Sequence, residues 1–129
     1  MSNLILADLE LPKRFLVKLE KDIEEILRAE IPDLLYIGLF GSCARNEMKS
    51  SSDIDLLVVT KEKIADRRLV ADLRMELDET LNGVRTDVVF VTEKGISEAN
   101  RTFRINVYRD MKIVWRSENY EGLFGDCRE

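Results

Sequence analysis

Three aspartates and one glycine–serine pair are the residues whose types and spacing could support chemistry. Asp53 and Asp55 are separated by one residue and lead into the apolar run LLVVT. Because side chains alternate along a strand, the two carboxylates are expected on the same face. Like charges at the start of a buried strand repel each other, and a divalent cation between them would reverse that repulsion.

A third aspartate, Asp87, lies near the start of the next predicted strand. It can join Asp53 and Asp55 if the two strands are parallel neighbours, or antiparallel with matched ends. The chain contains no histidine, so such a site would have oxygen ligands, which favour Mg²⁺ or Mn²⁺. Magnesium held by a few carboxylates keeps coordination positions open for substrate phosphates.

Gly41 and Ser42 could form the complementary, anion-binding half of the site. They follow the predicted strand LLYIGLF and open a short helix or turn. Glycine allows the backbone to approach a ligand, and N–H groups at a helix start attract phosphate. Each feature alone has an ordinary explanation as a turn, a solvated pair or a surface residue. Their joint occurrence favours phosphoryl or nucleotidyl transfer, which needs a phosphate cradle and a metal site.

The elements that must position these residues alternate between helix and strand. Apolar spacing and breakers predict the order helix, strand, short helix or turn, strand, helix, strand, helix, strand, at 13–31, 34–40, 43–48, 53–60, 64–81, 84–92, 97–111 and 112–115. Helices of crossover length between the later strands predict an α/β sheet with both faces covered. The charged run EKDIEE is expected on the solvent face of the first helix, and Ser97 as the N-cap of the last. The tail after Arg116 fits a docked loop, a short helix or disorder.

Composition limits the classes of function. The length of 129 residues predicts a single domain, 1–129, and a net charge of −5 disfavours non-specific binding to nucleic acid. The sequence predicts no signal peptide and no membrane span. Cys43 and Cys127 do not make a disulfide framework, so we expect a cytoplasmic protein. Without histidine, Ser-His-Asp triads and histidine-ligated zinc are excluded.

These motifs together resemble a known superfamily. Gly41-Ser42, Ala44-Arg45, the run from Ser52 to Val58 with its two aspartates, and Asp87 are similar to the nucleotidyltransferases with a DNA polymerase beta-like fold. The size resembles the minimal nucleotidyltransferase (MNT) type, which is often encoded beside HEPN-domain partners. The resemblance covers 34–92 well and the flanking helices loosely. It implies a small mixed β-sheet flanked by helices, rather than a doubly wound parallel sheet.

The resemblance also implies roles for single residues. Gly41 and Ser42 would hold the nucleotide phosphates, and Asp53 and Asp55 would ligate metal ions. Asp87 would complete the metal site and help to deprotonate the attacking hydroxyl. The implied cofactor is Mg²⁺, with two ions, and the implied donor substrate is ATP or another nucleoside triphosphate.

Four neighbouring residues leave alternatives open. Arg45 and Lys49 could each contact phosphate or be solvated side chains. Asn46 stands where the family usually has a glycine, and asparagine is the best replacement at positive φ. Cys43 could be a nucleophile, although a packed thiol is the commoner use of a cysteine.

We therefore expect a nucleotidyltransferase that moves AMP to an acceptor hydroxyl, with the acceptor site completed by a partner chain or a second copy. The resemblance favours a HEPN-type ribonuclease toxin as acceptor, which would make this chain an antitoxin. One alternative is a module that neutralises a toxin by binding alone, through apolar residues such as Trp115, Tyr120 and Phe124. Another is a small-molecule nucleotidyltransferase acting on an aminoglycoside-type substrate.

Overall fold

The computed structural model of the chain describes residues 9–44, 49 and 52–118, with the backbone alone at 106 and 108. Within these ranges the elements are α1 Lys13–Arg28, β1 Leu34–Phe40, α2 Gly41–Ala44, β2 Ile54–Thr60, α3 Arg67–Asp78, β3 Thr86–Thr92, α4 Glu93–Glu98, α5 Arg101–Asp110 and β4 Lys112–Arg116. No helix in these ranges is long and apolar enough to cross a membrane.

The four strands form one mixed sheet in the order β3-β2-β1-β4. Strands β2 and β3 are parallel neighbours, joined through α3 as the crossover helix. Strand β1 is antiparallel to β2 on one side and to β4 on the other. This arrangement confirms the expected mixed α/β sheet. Of the two pairings that the sequence left open for β2 and β3, parallel and antiparallel, the structure has the parallel one.

The first face of the sheet carries the larger core, beneath α1 and α3. Pro12 immediately precedes α1, where its missing N–H costs no helical hydrogen bond. The apolar side chains of α1 then recur at helical spacing and are fully buried, among them Phe15, Leu19, Ile23 and Ile26. Burying one such side chain stabilises the fold by about 1.5–3 kcal/mol, so this helix is anchored mainly by its apolar stripe.

Asp22 departs from the pattern expected for α1. It belongs to the charged run predicted on the solvent face, yet it is 1% exposed, and Lys18 one turn earlier is 0% exposed. The expectation was wrong for Asp22 because its carboxylate finds polar partners inside the protein, Lys18 and Thr86. Buried charges are tolerated when they are paired and hydrogen-bonded in this way.

The second face of the sheet is covered by a smaller core. Leu57 and Val59 of β2 are buried on this face, where α4 and α5 contribute Ile96 and Val107. Because Leu56 and Val58 are buried on the first face, β2 is apolar on both sides, as predicted for a covered sheet. Around this core several apolar side chains remain half-buried, namely Leu35, Phe40, Val89, Val91, Phe103 and Ile113.

The last predicted helix, 97–111, is interrupted: it covers the last two residues of α4, a break and all of α5, and Ser97 is not an N-cap. The chain leaves helical geometry at Ala99 and Asn100, with ψ of 166° and 156°. The Asn100 side chain accepts a hydrogen bond of 2.9 Å from the N–H of Phe103 and so begins α5. Ser97 lies inside α4, where its hydroxyl donates to the Lys94 carbonyl at 2.8 Å. Asparagine competes with the backbone for N–H groups, which favours a cap over a helix interior.

Helix α3 is shorter than the predicted 64–81. Asp66 precedes it, and its carboxylate accepts hydrogen bonds of 3.1 Å from the N–H groups of Arg68 and Leu69. After the helix, Asn82 and Gly83 both take positive φ, in a turn that the Leu81–Val84 bridge closes. The N-cap and this turn fix where the crossover begins and where the chain enters β3.

Candidate active site

The predicted site residues meet where β1 ends and where β2 and β3 begin. Asp55 and Asp87 are register partners on the two parallel strands, and Phe40, the last residue of β1, is the antiparallel partner of Asp55. Ile54 and Thr86, which precede the two aspartates, are buried on the first face of the sheet. Ile54 packs in the larger core, and Thr86 bonds to Asp22 of α1. Strand alternation therefore places both carboxylates on the second face of the sheet.

Gly41 packs directly against Asp55. It has a φ of +73°, and a Cβ added to it would lie 2.4 Å from Oδ2 of Asp55. Any larger residue would thus meet the carboxylate as well as adopt a left-handed backbone that L-residues disfavour. The structure brings the glycine of the predicted phosphate cradle into contact with a predicted metal ligand.

The remaining predicted residues lie around this contact. Asp53 immediately precedes β2 and is exposed, as is Asp87, whereas Asp55 is half-buried. Ser42 is the second residue of α2 and is half-buried.

Two other predictions fall at the edge of the described residues or beyond them. Lys49 is exposed, and its backbone N–H donates to the Ser52 hydroxyl at 2.7 Å. Arg45 and Asn46, together with Tyr120, Phe124 and Cys127, lie outside the residues that the structure describes. Trp115 is half-buried and packs against the first core, which agrees with a packing role.

Cys43 is a packed thiol beside the carboxylates. It is fully buried, and its Sγ donates a hydrogen bond of 3.6 Å to the backbone carbonyl of Asp53. Burial, and then the negative charges of Asp55 and Asp53, raise the pKa of this thiol to about 11. The thiol is therefore protonated at neutral pH, which favours packing over a nucleophilic role.

Arg85 is a residue near the site that the sequence reasoning passed over. Its guanidinium donates from Nε and Nη2 to one oxygen of Asp78, at 3.1 and 2.5 Å. The pKa of Arg85 is raised first by Asp78, and the charges of Asp53 and Asp87 add to this effect. Arg85 thus supplies a positive charge within electrostatic reach of two site carboxylates. Its position two residues before Asp87 was the available signal.

The donor chemistry of these residues suits a hard divalent cation. Within 9–44, 49 and 52–118, no three Asp, Glu or Cys side chains already form a group that could hold a metal ion. Two carboxylates in register on one face, with a third just before β2, still offer the oxygen ligands that Mg²⁺ prefers. Joint ligation of a metal by Asp53, Asp55 and Asp87 therefore stays a prediction.

Comparison with known proteins places this arrangement in a family. The family model described as "Polymerase beta, Nucleotidyltransferase" matches residues 21–119. A relative from Methanocaldococcus jannaschii, MJ0435, is named as a candidate protein adenylyltransferase. It is 47% identical over 73 residues, which cover 53% of this chain and 76% of the relative.

Two solved structures share the fold. A chain of a toxin–antitoxin complex with AMP-PNP is 28% identical, with a TM-score of 0.55, over 77% of this chain and 74% of that chain. A chain of the tri-AMPylated Shewanella oneidensis HEPN toxin in complex with MNT antitoxin is 26% identical, with a TM-score of 0.52, over 79% and 72%. Since the family model spans most of the sequence, the chain belongs to the polymerase beta nucleotidyltransferase family and is a nucleotidyltransferase.

Proposed function

We propose that the chain transfers AMP from ATP to a hydroxyl group on a partner protein, in a magnesium-dependent reaction. The observation that carries the proposal is the meeting of Gly41, Asp55 and Asp87 at one end of the sheet. The name of the M. jannaschii relative and the AMP-PNP and AMPylated-toxin complexes support an adenylyl group and a protein acceptor. A HEPN-like toxin is the proposed acceptor, and this chain is then its antitoxin.

Five of the predicted residues have a proposed role in this reaction. Asp53, Asp55 and Asp87 would hold the magnesium, which when bound supplies positive charge to the phosphates and the leaving group. Gly41 and Ser42 would contact the phosphates of ATP. Because the Gly41 backbone packs against Asp55, phosphates at this turn would lie beside the carboxylates.

The reaction forms one bond and breaks one bond. The acceptor oxygen bonds to the α-phosphorus of ATP, the bond from that phosphorus to the bridging oxygen breaks, and pyrophosphate leaves. The hydroxyl proton passes to a nearby base, for which Asp87 is our candidate. Asp87 is exposed at the start of the edge strand β3, so an acceptor on a second protein can reach it.

The surface beside the carboxylates suits contact with another protein. Phe40, Val89 and Val91 are half-buried around the second core, on the face that carries Asp55 and Asp87. Half-buried apolar side chains next to exposed carboxylates give the combination of apolar contact and polar chemistry that protein interfaces use.

Co-expression with a HEPN-domain toxin tests the proposal. Intact-mass spectrometry of that partner should show added AMP with the wild-type chain and none with Asp53→Asn/Asp55→Asn. Protection from the toxin by the double variant, without added AMP, would instead support neutralisation by binding alone. An unmodified partner in the wild-type complex would contradict the proposed acceptor.

A further inference from the structure

A buried charged network lies directly behind the site, on the opposite face of the sheet. Lys18 and Asp22 are one turn apart on α1, and Nζ of Lys18 lies 2.5 Å from Oδ1 of Asp22. The same Nζ donates to the backbone carbonyl of Leu77 at 2.8 Å. The second carboxylate oxygen of Asp22 accepts a hydrogen bond from the Thr86 hydroxyl. Exposed fractions are 0%, 1% and 2% for Lys18, Asp22 and Thr86, which we call the buried network.

The buried network joins the three elements that determine where β3 begins. Lys18 and Asp22 belong to α1, Leu77 lies in the last turn of α3, and Thr86 is the first residue of β3. Strand β3 is at the edge of the sheet, so within the described residues β2 is the one strand that pairs with it. The Thr86–Asp22 hydrogen bond is therefore a second restraint on the start of this edge strand.

Thr86 immediately precedes Asp87, and strand alternation couples their directions. When the Thr86 hydroxyl faces Asp22, the next side chain must face the opposite side of the sheet, where Asp55 lies. A slip of β3 by one residue would turn Asp87 towards the buried network and move it away from Asp55. The polar contact thus discriminates between the correct register and the slipped one.

A contribution to folding stability is a weak explanation for burying the Lys18–Asp22 ion pair. A buried ion pair loses hydration, and well-packed apolar residues of similar volume are often equally stable or more so. Within the described residues, no buried side-chain nitrogen or oxygen lacks a hydrogen-bond partner. Each nitrogen and oxygen of the buried network thus has at least one partner, and hydrogen-bonded polar networks can specify one geometry.

We propose that Lys18, Asp22 and Thr86 act as positioning residues that fix the register of β3 and hold Asp87 beside Asp55. This inference rests on the proposed function of Asp87 in the site. The three residues act through the strand and have no contact with substrate in this scheme.

The first test compares two substitutions at Thr86. Thr86→Val keeps the shape and removes the hydroxyl, whereas Thr86→Ser keeps the hydroxyl. We expect Thr86→Val to lower kcat for AMP transfer, or the apparent affinity for Mg²⁺, on the order of tenfold, because small misplacements of a reacting group are costly. Thr86→Ser should stay near wild type. Unchanged kcat and Mg²⁺ dependence in folded Thr86→Val would overturn the proposal.

A second variant separates positioning from stability. Lys18→Met/Asp22→Leu/Thr86→Val replaces the whole buried network by apolar residues and leaves no unpaired buried charge. We expect this variant to fold with a Tm close to that of the wild type and still to lose activity like Thr86→Val. Full activity in the triple variant would overturn the proposal.

Amide hydrogen exchange tests positioning independently of activity. In Thr86→Val, the amides in the first half of β3 should exchange faster, on the order of tenfold, while β1 amides are unchanged. Wild-type exchange at β3 would overturn the proposal even if the chain proved inactive. Failure of the proposed function is distinguishable, because it would show as wild-type protein without magnesium-dependent nucleotide binding.

Discussion

The contact between the Gly41 backbone and the Asp55 carboxylate shows how single residues build this site. The glycine is needed for two reasons, since its φ is +73° and its missing Cβ leaves room for the Asp55 oxygen. A sequence pattern can suggest the first reason, because glycine after a strand often marks a turn. The second reason depends on the pairing of β1 with β2, which only the fold supplies.

Substitution of Gly41 tests this contact, and Gly83 offers a matched control. Gly83 also has a positive φ, of +80°, but a Cβ there would meet Nη1 of Arg14 at 3.4 Å, an ordinary contact. Gly83→Ala should lose about 1–2 kcal/mol of unfolding free energy from left-handed strain, and Gly41→Ala should lose at least as much because its Cβ also meets Asp55. Only Gly41→Ala should also lose magnesium-dependent nucleotide binding, measured by calorimetry. Equal binding by both variants would contradict the importance of the Gly41–Asp55 contact.

The Cys43 thiol provides a pH-dependent prediction. Its pKa is raised from the ordinary 9.0 to about 11, mainly by burial. In a Cys127→Ser background, alkylation of Cys43 by iodoacetamide should therefore be slow at neutral pH, and thiolate should form only near pH 11. Mass spectrometry of timed samples, with unfolded protein as the control, measures the rate. Rapid labelling of the folded protein at neutral pH would instead support a reactive nucleophile.

The same shift has a consequence for stability. The unfolded chain releases the Cys43 proton at lower pH than the folded chain, so folding is favoured fully below pH 9.0 and progressively less up to about 11. Denaturant unfolding of Cys43→Ala should show a weaker loss of stability across this window than the Cys127→Ser background. Identical pH dependence of the two proteins would contradict the raised pKa.

Among the secondary-structure elements, the start of α5 provides a test, because Ser97 was predicted as the N-cap and Asn100 is the N-cap in the structure. Asn100→Ala should destabilise the fold by about 1 kcal/mol, because the Phe103 N–H loses its side-chain partner. Ser97→Ala should be close to neutral, since that hydroxyl only donates to a carbonyl inside α4. Chemical denaturation of both variants measures the difference. The reverse order of the two effects would favour one continuous helix beginning at Ser97.

Strands were easier to predict than helix boundaries, for physical reasons. The run LLYIGLF is bounded by turn residues and coincides with β1, and the predicted strand DIDLLVVT exceeds β2 only by Asp53 at its start. The break at Ala99 and Asn100 depends on a side chain taking a backbone N–H, and helical apolar spacing continues across it. Periodicity alone therefore extended the predicted helix back from α5, across the break, to the last two residues of α4.

The charged residues of α1 show a different limit of prediction. Lys18 and Asp22 are charged residues of the kind expected on a solvent-exposed helix face. Their burial is explained by hydrogen bonds to the Leu77 carbonyl and from the Thr86 hydroxyl. The sequence also left the pairing of β2 and β3 open between parallel and antiparallel. The sequence thus grouped Gly41, Asp55 and Asp87, which the fold brings together, but it gave no sign of the network behind Asp87.

At the scale of the whole molecule, the fold gathers distant segments at one end of a mixed sheet. The end of β1 supplies Gly41, and the starts of β2 and β3 supply Asp55 and Asp87. The chain has a net charge of −5, and several carboxylates are concentrated at this end. A divalent cation would offset that charge where we propose that a nucleoside triphosphate binds, so the proposed reaction predicts magnesium dependence.

Isothermal titration of purified protein with AMP-PNP, with and without Mg²⁺, measures whether nucleotide binding depends on the metal. We predict binding that requires Mg²⁺ in the wild type and that Asp53→Asn/Asp55→Asn abolishes, while its far-UV circular dichroism stays unchanged. Glu93→Gln/Glu98→Gln, which removes two carboxylates from α4, serves as a charge-matched control and should bind like wild type. Binding that is independent of Mg²⁺, or equal in the Asp53→Asn/Asp55→Asn variant, would contradict the account.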